Sequence, residues 1–167
     1  MSLRRNALQM LIDTGDLPLL TNAERNDLAT IIGKLRTWPD SPAARTALSA
    51  KVRIVAVSNA DLAELVTLSK NAELRWHAVI SAKLSHAYKP HECVYQAALE
   101  MLQLDPARTM VVAAHPWDLR AAALKSMLTA HITRPHTGGP SPEDHFTATD
   151  LADLNDQLAP GVDGVTI

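Results

Sequence analysis

Apolar residues at Leu8, Leu11 and Ile12, and again at Leu28, Ile31, Ile32 and Leu35, recur at the i, i+3, i+4 spacing of amphipathic helices. Residues 3 to about 36 are therefore predicted to form a helical hairpin. Its link runs through Thr14-Gly15-Asp16 and Leu17-Pro18. Thr21 stands three residues before Glu24, the spacing at which a hydroxyl and a carboxylate cap a second helix reciprocally. The stretch Trp38-Pro39-Asp40-Ser41-Pro42 ends the helical pattern, because proline lacks the amide that a helix interior needs. Beyond it the period changes. Short apolar runs rich in β-branched residues, at 52–57, 78–81, 110–114 and 129–133, read as buried parallel strands. Between them, residues 61–69, 91–102 and 119–128 have helical composition and length. Strand, helix, strand, helix is the order of an α/β sheet wound by right-handed crossovers. Residues 133–146 hold three prolines and two glycines and read as loop, followed by a last helix near 150–158 and a frayed, solvated, acidic end.

In open parallel sheets the ligand crevice lies at the carboxyl ends of the strands, so the residues just after each run are the candidates for chemistry. Ser58-Asn59 follow the first, Lys89-Pro90 follow the second and its loop, and His115-Pro116-Trp117-Asp118 follow the third. A hydroxyl, an amide, an ammonium and a carboxylate on three strand ends can converge on one anionic group. Each also has a plain structural explanation: Ser58-Asn59 as a helix cap, Lys89 as a surface charge, Asp118 as a first-turn acid facing the helix dipole. Other candidates carry less. His91-Glu92-Cys93 are consecutive on a helix, and consecutive side chains point apart, without the HExxH spacing of a zinc site. Cys93 is expected to be a helix-buried thiol, His131, His136 and His145 to be solvated, the three tryptophans to pack in the core or cap, and Gly138-Gly139 to carry no phosphate-binding pattern.

Composition narrows the picture. At 167 residues, 47% hydrophobic and 20% charged, the chain is expected to be one soluble globular domain or one core with a small attachment, not a disordered segment. Sixteen Lys and Arg against eighteen Asp and Glu give a net charge of -2. The basic residues are scattered, which argues against a nucleic-acid partner. No apolar run approaches the length of a membrane span, no secretory signal is visible, and a single cysteine excludes an intramolecular disulfide, so a cytoplasmic location is expected.

The motifs Val57-Ser58-Asn59, Tyr88-Lys89-Pro90 with Tyr95 following, and Ala113-Ala114-His115-Pro116-Trp117-Asp118 resemble those of the haloacid dehalogenase superfamily, most closely its type II 2-haloacid dehalogenase branch. Leu35-Arg36-Thr37-Trp38-Pro39-Asp40 resembles the end of that branch's helical cap, which returns to the core through a Pro-Asp turn. The resemblance covers nearly the whole chain. It implies a Rossmann-like core over residues 39–167 and the last part of a helical cap over 1–38. It also implies hydrolysis of a 2-haloacid-like carboxylate: an aspartate attacks the carbon bearing halogen, and water then hydrolyses the ester. By resemblance Ser58 and Asn59 hold the nucleophile or the substrate carboxylate, Lys89 keeps the nucleophile ionised, Asp118 orients or activates water, and Tyr95 supports the site. His115 is either a donor to substrate or a packed strand-end residue.

The sequence departs from the family pattern in two places. The family nucleophile ends the first strand in an Asp-x-x-Gly-Thr-like motif, and no such strand precedes Leu3. Asp13-Thr14-Gly15-Asp16 follows a helical pattern and does not replace it, so the chain by itself is expected to lack the nucleophile and to be either part of a dehalogenase or a non-catalytic remnant. Magnesium-dependent phosphatases of the superfamily place a Gly-Asp pair where this sequence has Ala113-Ala114, so neither a metal nor another cofactor is expected. Since the family's first strand is central, its absence is expected to leave two open edges that close on each other, recruit a second copy into a homo-oligomer, or weaken the fold.

Overall fold

The computed structural model describes residues 3–158 and 166–167. Helices α1 (Leu3–Asp13) and α2 (Asn22–Ala29) form the expected hairpin. Thr21 and Glu24 close the capping box, the Thr21 Oγ1 accepting from the Glu24 amide and the Glu24 carboxylate accepting from Thr21 at 2.8 Å. A 3-10 turn, Ile31–Lys34, then docks onto the core helix α4 (Leu62–Asn71). The approach is close enough that a Cβ on Gly33 would meet Thr67 Cγ2 at 2.9 Å, and Asn71 donates to the Gly33 carbonyl at 2.7 Å.

Helix α3 (Ser41–Ser49) has no counterpart in the sequence reading. Its proline stands in the first turn, where the missing amide costs nothing, so the residue read as a boundary starts a helix. Strand β1 is Val55–Ser58, shorter than the run at 52–57, because Val52 and Ile54 precede the ladder as buried core residues. It pairs in parallel with β2 (Ala78–Ser81). Strands β3 (Met110–Ala113), β4 (Leu128–Ile132) and β5 (Phe146–Ala148) form a second parallel sheet. Helix α5 (Glu92–Leu102) matches its prediction closely and α7 (Leu151–Gln157) falls inside its own. Helix α6 (Pro116–Ala123) begins and ends earlier than the 119–128 expected, since Ser126 turns the chain at φ 56° and Leu128 already belongs to β4. Strand β5 went unread because three residues beside a Pro/Gly-rich loop carry too little alternation.

Strands β1 and β3 do not pair with each other. The end of the chain stands between them: Thr166 makes parallel bridges to Arg53 on one side and to Thr109 on the other. Its carbonyl accepts from the Met110 amide at 2.8 Å, and the Ile167 amide donates to the Arg53 carbonyl at 2.7 Å. Thr166 is buried, which corrects the expectation of a solvated end at this point; residues 159–165 lie outside the described residues. Of the responses expected for open edges, mutual closure of the two strands is not the one adopted. Past Ile167 a cleft of about 500 Å³ continues between the sheets. The core lies on either side of it, one cluster around Leu48, Ile54, Met110 and Leu154, the other around Val94, Tyr95, Ala122 and Met127. Among the described residues no helix is long and apolar enough to cross a membrane.

Candidate active site

Ser58 is the last residue of β1, and its Oγ accepts from the Ala60 amide at 3.2 Å. Asn59 follows and spends its side chain on Lys89: Oδ1 accepts from the Lys89 amide at 2.7 Å and Nδ2 donates to the Lys89 carbonyl at 3.2 Å. One amide side chain thus grips both polar groups of the lysine backbone, tying the loop after β2 to the end of β1. The loop is also held from below, where Ser81 donates to the Ala60 carbonyl at 2.7 Å.

So fixed, Lys89 reaches across to the other sheet. Its Nζ donates to Asp118 Oδ2 at 3.0 Å and lies 5.8 Å from the centre of the Tyr95 ring. Tyr95, from the first turns of α5, donates its hydroxyl to Asp118 Oδ1 at 2.6 Å. Asp118 sits in the first turn of α6, the end at which the helix dipole favours a carboxylate. Each carboxylate oxygen therefore has its own donor, which fixes its plane. Tyr95 and Asp118 are 2% and 6% exposed. Burial first, and then the hydrogen bond and negative charge of Asp118, push the Tyr95 hydroxyl well above its ordinary value, so it remains a proton donor throughout the neutral range.

Of the six residues singled out in the sequence, Lys89, Tyr95 and Asp118 meet in one cluster, Asn59 positions Lys89, and Ser58 lines the same cleft as Lys89 and Tyr95. His115 does not join them: it is exposed and stacks on Trp117, ring centres 5.3 Å apart and 14° from parallel. His91, Glu92 and Cys93 diverge as their spacing requires, His91 capping α5 through Nδ1 and Glu92 pairing with Lys125 at 2.8 Å. Cys93 is exposed rather than buried, because it occupies the outward face of the first turn of α5. His131 is fully buried on β4 rather than solvated. Among the described residues no group of three or more His, Cys, Asp or Glu side chains is placed to hold a metal ion.

Two positioning features escaped the sequence reading. Asp40, at the Pro-Asp turn, accepts from Arg134 at 2.7 Å and from the Leu151 amide at 3.0 Å, while the Arg134 guanidinium lies 4.9 Å from the centre of the Trp38 ring. Trp38 is accordingly an exposed platform and not a core residue. Although burial raises it, the Leu151 amide and Arg134 hold the Asp40 carboxyl below the ordinary aspartate value. The other feature is Gly138, whose φ of +97° disfavours any side chain and which packs on Pro116, where a Cβ would meet Cγ at a tight 3.2 Å. The loop thereby rests on the residue that opens α6, two positions before Asp118.

The family model for haloacid dehalogenase-like hydrolases matches residues 3–124. Among solved structures, the L-2-haloacid dehalogenase PA0810 is 34% identical, with a TM-score of 0.82 over 93% of this chain and 71% of that one. The defluorinating L-2-haloacid dehalogenase Rha0230 is 31% identical, with a TM-score of 0.84 over 93% of this chain and 68% of that one. The L-2-haloacid dehalogenase from Xanthobacter autotrophicus, 23% identical with a TM-score of 0.76 over 91% of this chain and 72% of that one, shares the fold. No curated protein matches the chain. The parallel sheets, the strand-end lysine and acid, the family match and the identity to these structures agree, and the chain belongs to the haloacid dehalogenase-like hydrolases.

Proposed function

We propose that the chain supplies the lysine and acid of a metal-independent 2-haloacid dehalogenase, with the nucleophilic aspartate contributed by polypeptide outside these 167 residues. The observation that carries this reading is the Lys89, Asp118 and Tyr95 cluster at the carboxyl ends of the strands, facing the cleft between the two sheets. In the reaction an aspartate oxygen attacks the carbon bearing the halogen, the carbon–halogen bond breaks, and halide leaves with the bonding pair. The ester so formed is opened when water adds to its carbonyl carbon, releasing a 2-hydroxy acid and the regenerated carboxylate. Lys89 places a positive charge where the nucleophile must stay ionised, and Asp118, held by Tyr95, is the group beside the water. Ser58 lines the cleft, and Asn59 acts through the Lys89 backbone. The residues at 113 and 114 are alanines, which offer no carboxylate to a hard cation.

A second reading, a non-catalytic protein that keeps the pocket, draws on the same pair: Lys89 and Asp118 already neutralise each other. Halide release separates the readings. The 167-residue chain is expected to release none from 2-chloropropionate. A form extended upstream in frame from Met1 is expected to release chloride without added magnesium and to leave phosphate esters intact. Phosphate release that requires magnesium would replace the dehalogenase reading with a phosphatase, and silence of the extended form on all substrates would favour the binding role.

A further inference from the structure

A second cleft, of about 1660 Å³, is walled by α3, by the end of α4 with the loop into β2, and by residues 34–37, which lead from the helical hairpin to the core. Its charge is unlike that of the chain. The net charge of the whole is -2, yet this cleft gathers Lys34, Arg36, Arg45, Lys70 and Arg75, five of the sixteen lysines and arginines, against a single acid, Glu73. Basic residues that are scattered along the sequence thus converge in the fold. Lys34 is paired with Asp27 at 2.9 Å. Among the described residues the other four have no carboxylate within salt-bridge distance. Lys70 stands in the last turn of α4, where the helix dipole favours a cation. That dipole does not account for Arg36, Arg45 and Arg75, which come from other elements. The wall is held by Arg45 itself, whose Nη1 donates to the Arg75 carbonyl at 2.6 Å, while its Nε is buried with no acceptor, an unmet donor. His77 Nδ1 accepts from the Ile54 amide at 2.9 Å, so in the neutral ring Nε2 carries the hydrogen and is a further donor. The hydroxyls of Thr46, Ser49 and Ser69 donate to carbonyls of their own helices, which leaves the cleft to N–H donors.

We infer that this cleft binds a small ligand carrying two or more phosphate groups, held by Arg36 from the linker, Arg45 from α3, and Lys70 and Arg75 from the end of α4 and the loop beyond it. Like charges brought together repel, and an anion among them relieves the repulsion. A guanidinium presents paired N–H groups that match two phosphate oxygens, and three of the four unpaired cations are arginines. A single phosphate dianion does not balance four cations, whereas two phosphates do. The ligand joins the linker to two core elements, so its binding stabilises the folded chain. The site is distinct from the Lys89, Tyr95 and Asp118 cluster, none of which lines this cleft, and it does not rest on the dehalogenase reading.

The probe is inorganic pyrophosphate, titrated calorimetrically into the 167-residue chain without divalent metal at about 0.1 M salt, where surface charges are largely screened beyond roughly 10 Å. Citrate, an anion of similar charge without phosphate, is the comparison. Saturable binding of one pyrophosphate is expected, weaker binding of citrate by about threefold or more, and a rise in the urea midpoint with pyrophosphate. Arg36, Lys70 and Arg75 are exposed, so their replacement leaves the fold in place. Lys70→Gln is expected to weaken binding about threefold, and Arg36→Gln with Arg75→Gln by about tenfold or more. Lys89→Met in the other cleft and Arg120→Gln on α6 are expected to change it less than about twofold. The form extended upstream from Met1 is expected to bind as the 167-residue chain does. Absence of saturable binding, unchanged affinity in the Arg36→Gln and Arg75→Gln double variant, or loss of binding in the extended form overturns the inference. Loss with Lys89→Met places the anion in the other cleft and overturns it too, and equal binding of citrate overturns the assignment to phosphate. Pyrophosphate binding by an extended form that releases no halide would leave this site standing while the dehalogenase reading falls; halide release without pyrophosphate binding would do the reverse.

Discussion

Among the described residues, two largely buried ion pairs, Lys89 with Asp118 and Arg134 with Asp40, differ in what remains of them after pairing. Lys89 and Asp118 are 3.0 Å apart with side chains 13% and 9% exposed; Arg134 and Asp40 are 2.7 Å apart with side chains 13% and 14% exposed. By distance and burial they are near equals. Around Asp40, however, one carboxylate oxygen also accepts the Leu151 amide, and the guanidinium is backed by Trp38, so the pair binds the turn after the helical hairpin, the end of β4 and the start of α7 together. Around Asp118 the second donor is a tyrosine hydroxyl, and the ammonium faces a cleft with two further donor positions unused by Asp118. The same electrostatic unit serves as a joint in one place and, on the proposed dehalogenase reading, as a reagent in the other, and the neighbours decide which.

The comparison breaks first on activity. In the form that releases halide, Lys89→Met is expected to lower the rate by about 10³-fold, the scale of losing one oriented charge at a reacting centre. Arg134→Met, compared at equal folded fraction, is expected to change it less than about threefold; chloride release by ion chromatography reads both. A comparable loss from Arg134→Met would erase the distinction between joint and reagent.

Stability does not follow that ranking. Removing Arg134 leaves a buried carboxylate without its cation and is expected to cost about 3 kcal/mol, measured by urea unfolding of the 167-residue chain. Replacing both partners sharpens the contrast. Lys89→Met with Asp118→Leu and Tyr95→Phe removes every member of the cluster and is expected to remain within about 1 kcal/mol of the parent. Arg134→Met with Asp40→Leu is expected to stay about 1 kcal/mol less stable, since the Leu151 amide at the start of α7 then has no acceptor.

Tyr95→Phe alone removes one donor from a charged acceptor and is expected to cost about 1.5 kcal/mol, about half the effect of losing Arg134. Smallest is a pH dependence assigned to Asp40. Its carboxyl titrates below the ordinary 3.8, so the folded form binds its proton more weakly than the unfolded form. That contribution is fully present above the unfolded value and is lost as pH falls through the folded one. Unfolding followed below about pH 4 is expected to show a shallower acid slope in the Asp40→Asn variant than in the parent.

The candidate site was largely legible in the sequence because chemistry at strand ends is written locally: Ser58, Lys89 and Asp118 each follow an apolar run within a few residues or one loop. Tyr95 came with them through the family motif. The roles were less legible. Asn59 turned out to hold the lysine backbone, and His115 to face away onto Trp117, because side-chain direction in a loop depends on partners that a linear reading does not supply. Asp40 and Arg134 lie 94 residues apart, and no periodicity links them. Helix α3 was hidden by a proline that stops one helix pattern and opens another. The insertion of Thr166 and Ile167 between two sheets is tertiary from the outset, for two residues carry no pattern at all.

Pro116, which opens α6, meets in Gly138 a loop residue that has no side chain, and Asp118 lies within the first turn of that helix. A methyl group at position 138 would stand 3.2 Å from the Pro116 ring, so the loop or the ring must give by a few tenths of an ångström. Position 138 is therefore a place outside the Lys89, Tyr95 and Asp118 cluster from which a single added carbon reaches the residue that opens the acid's helix.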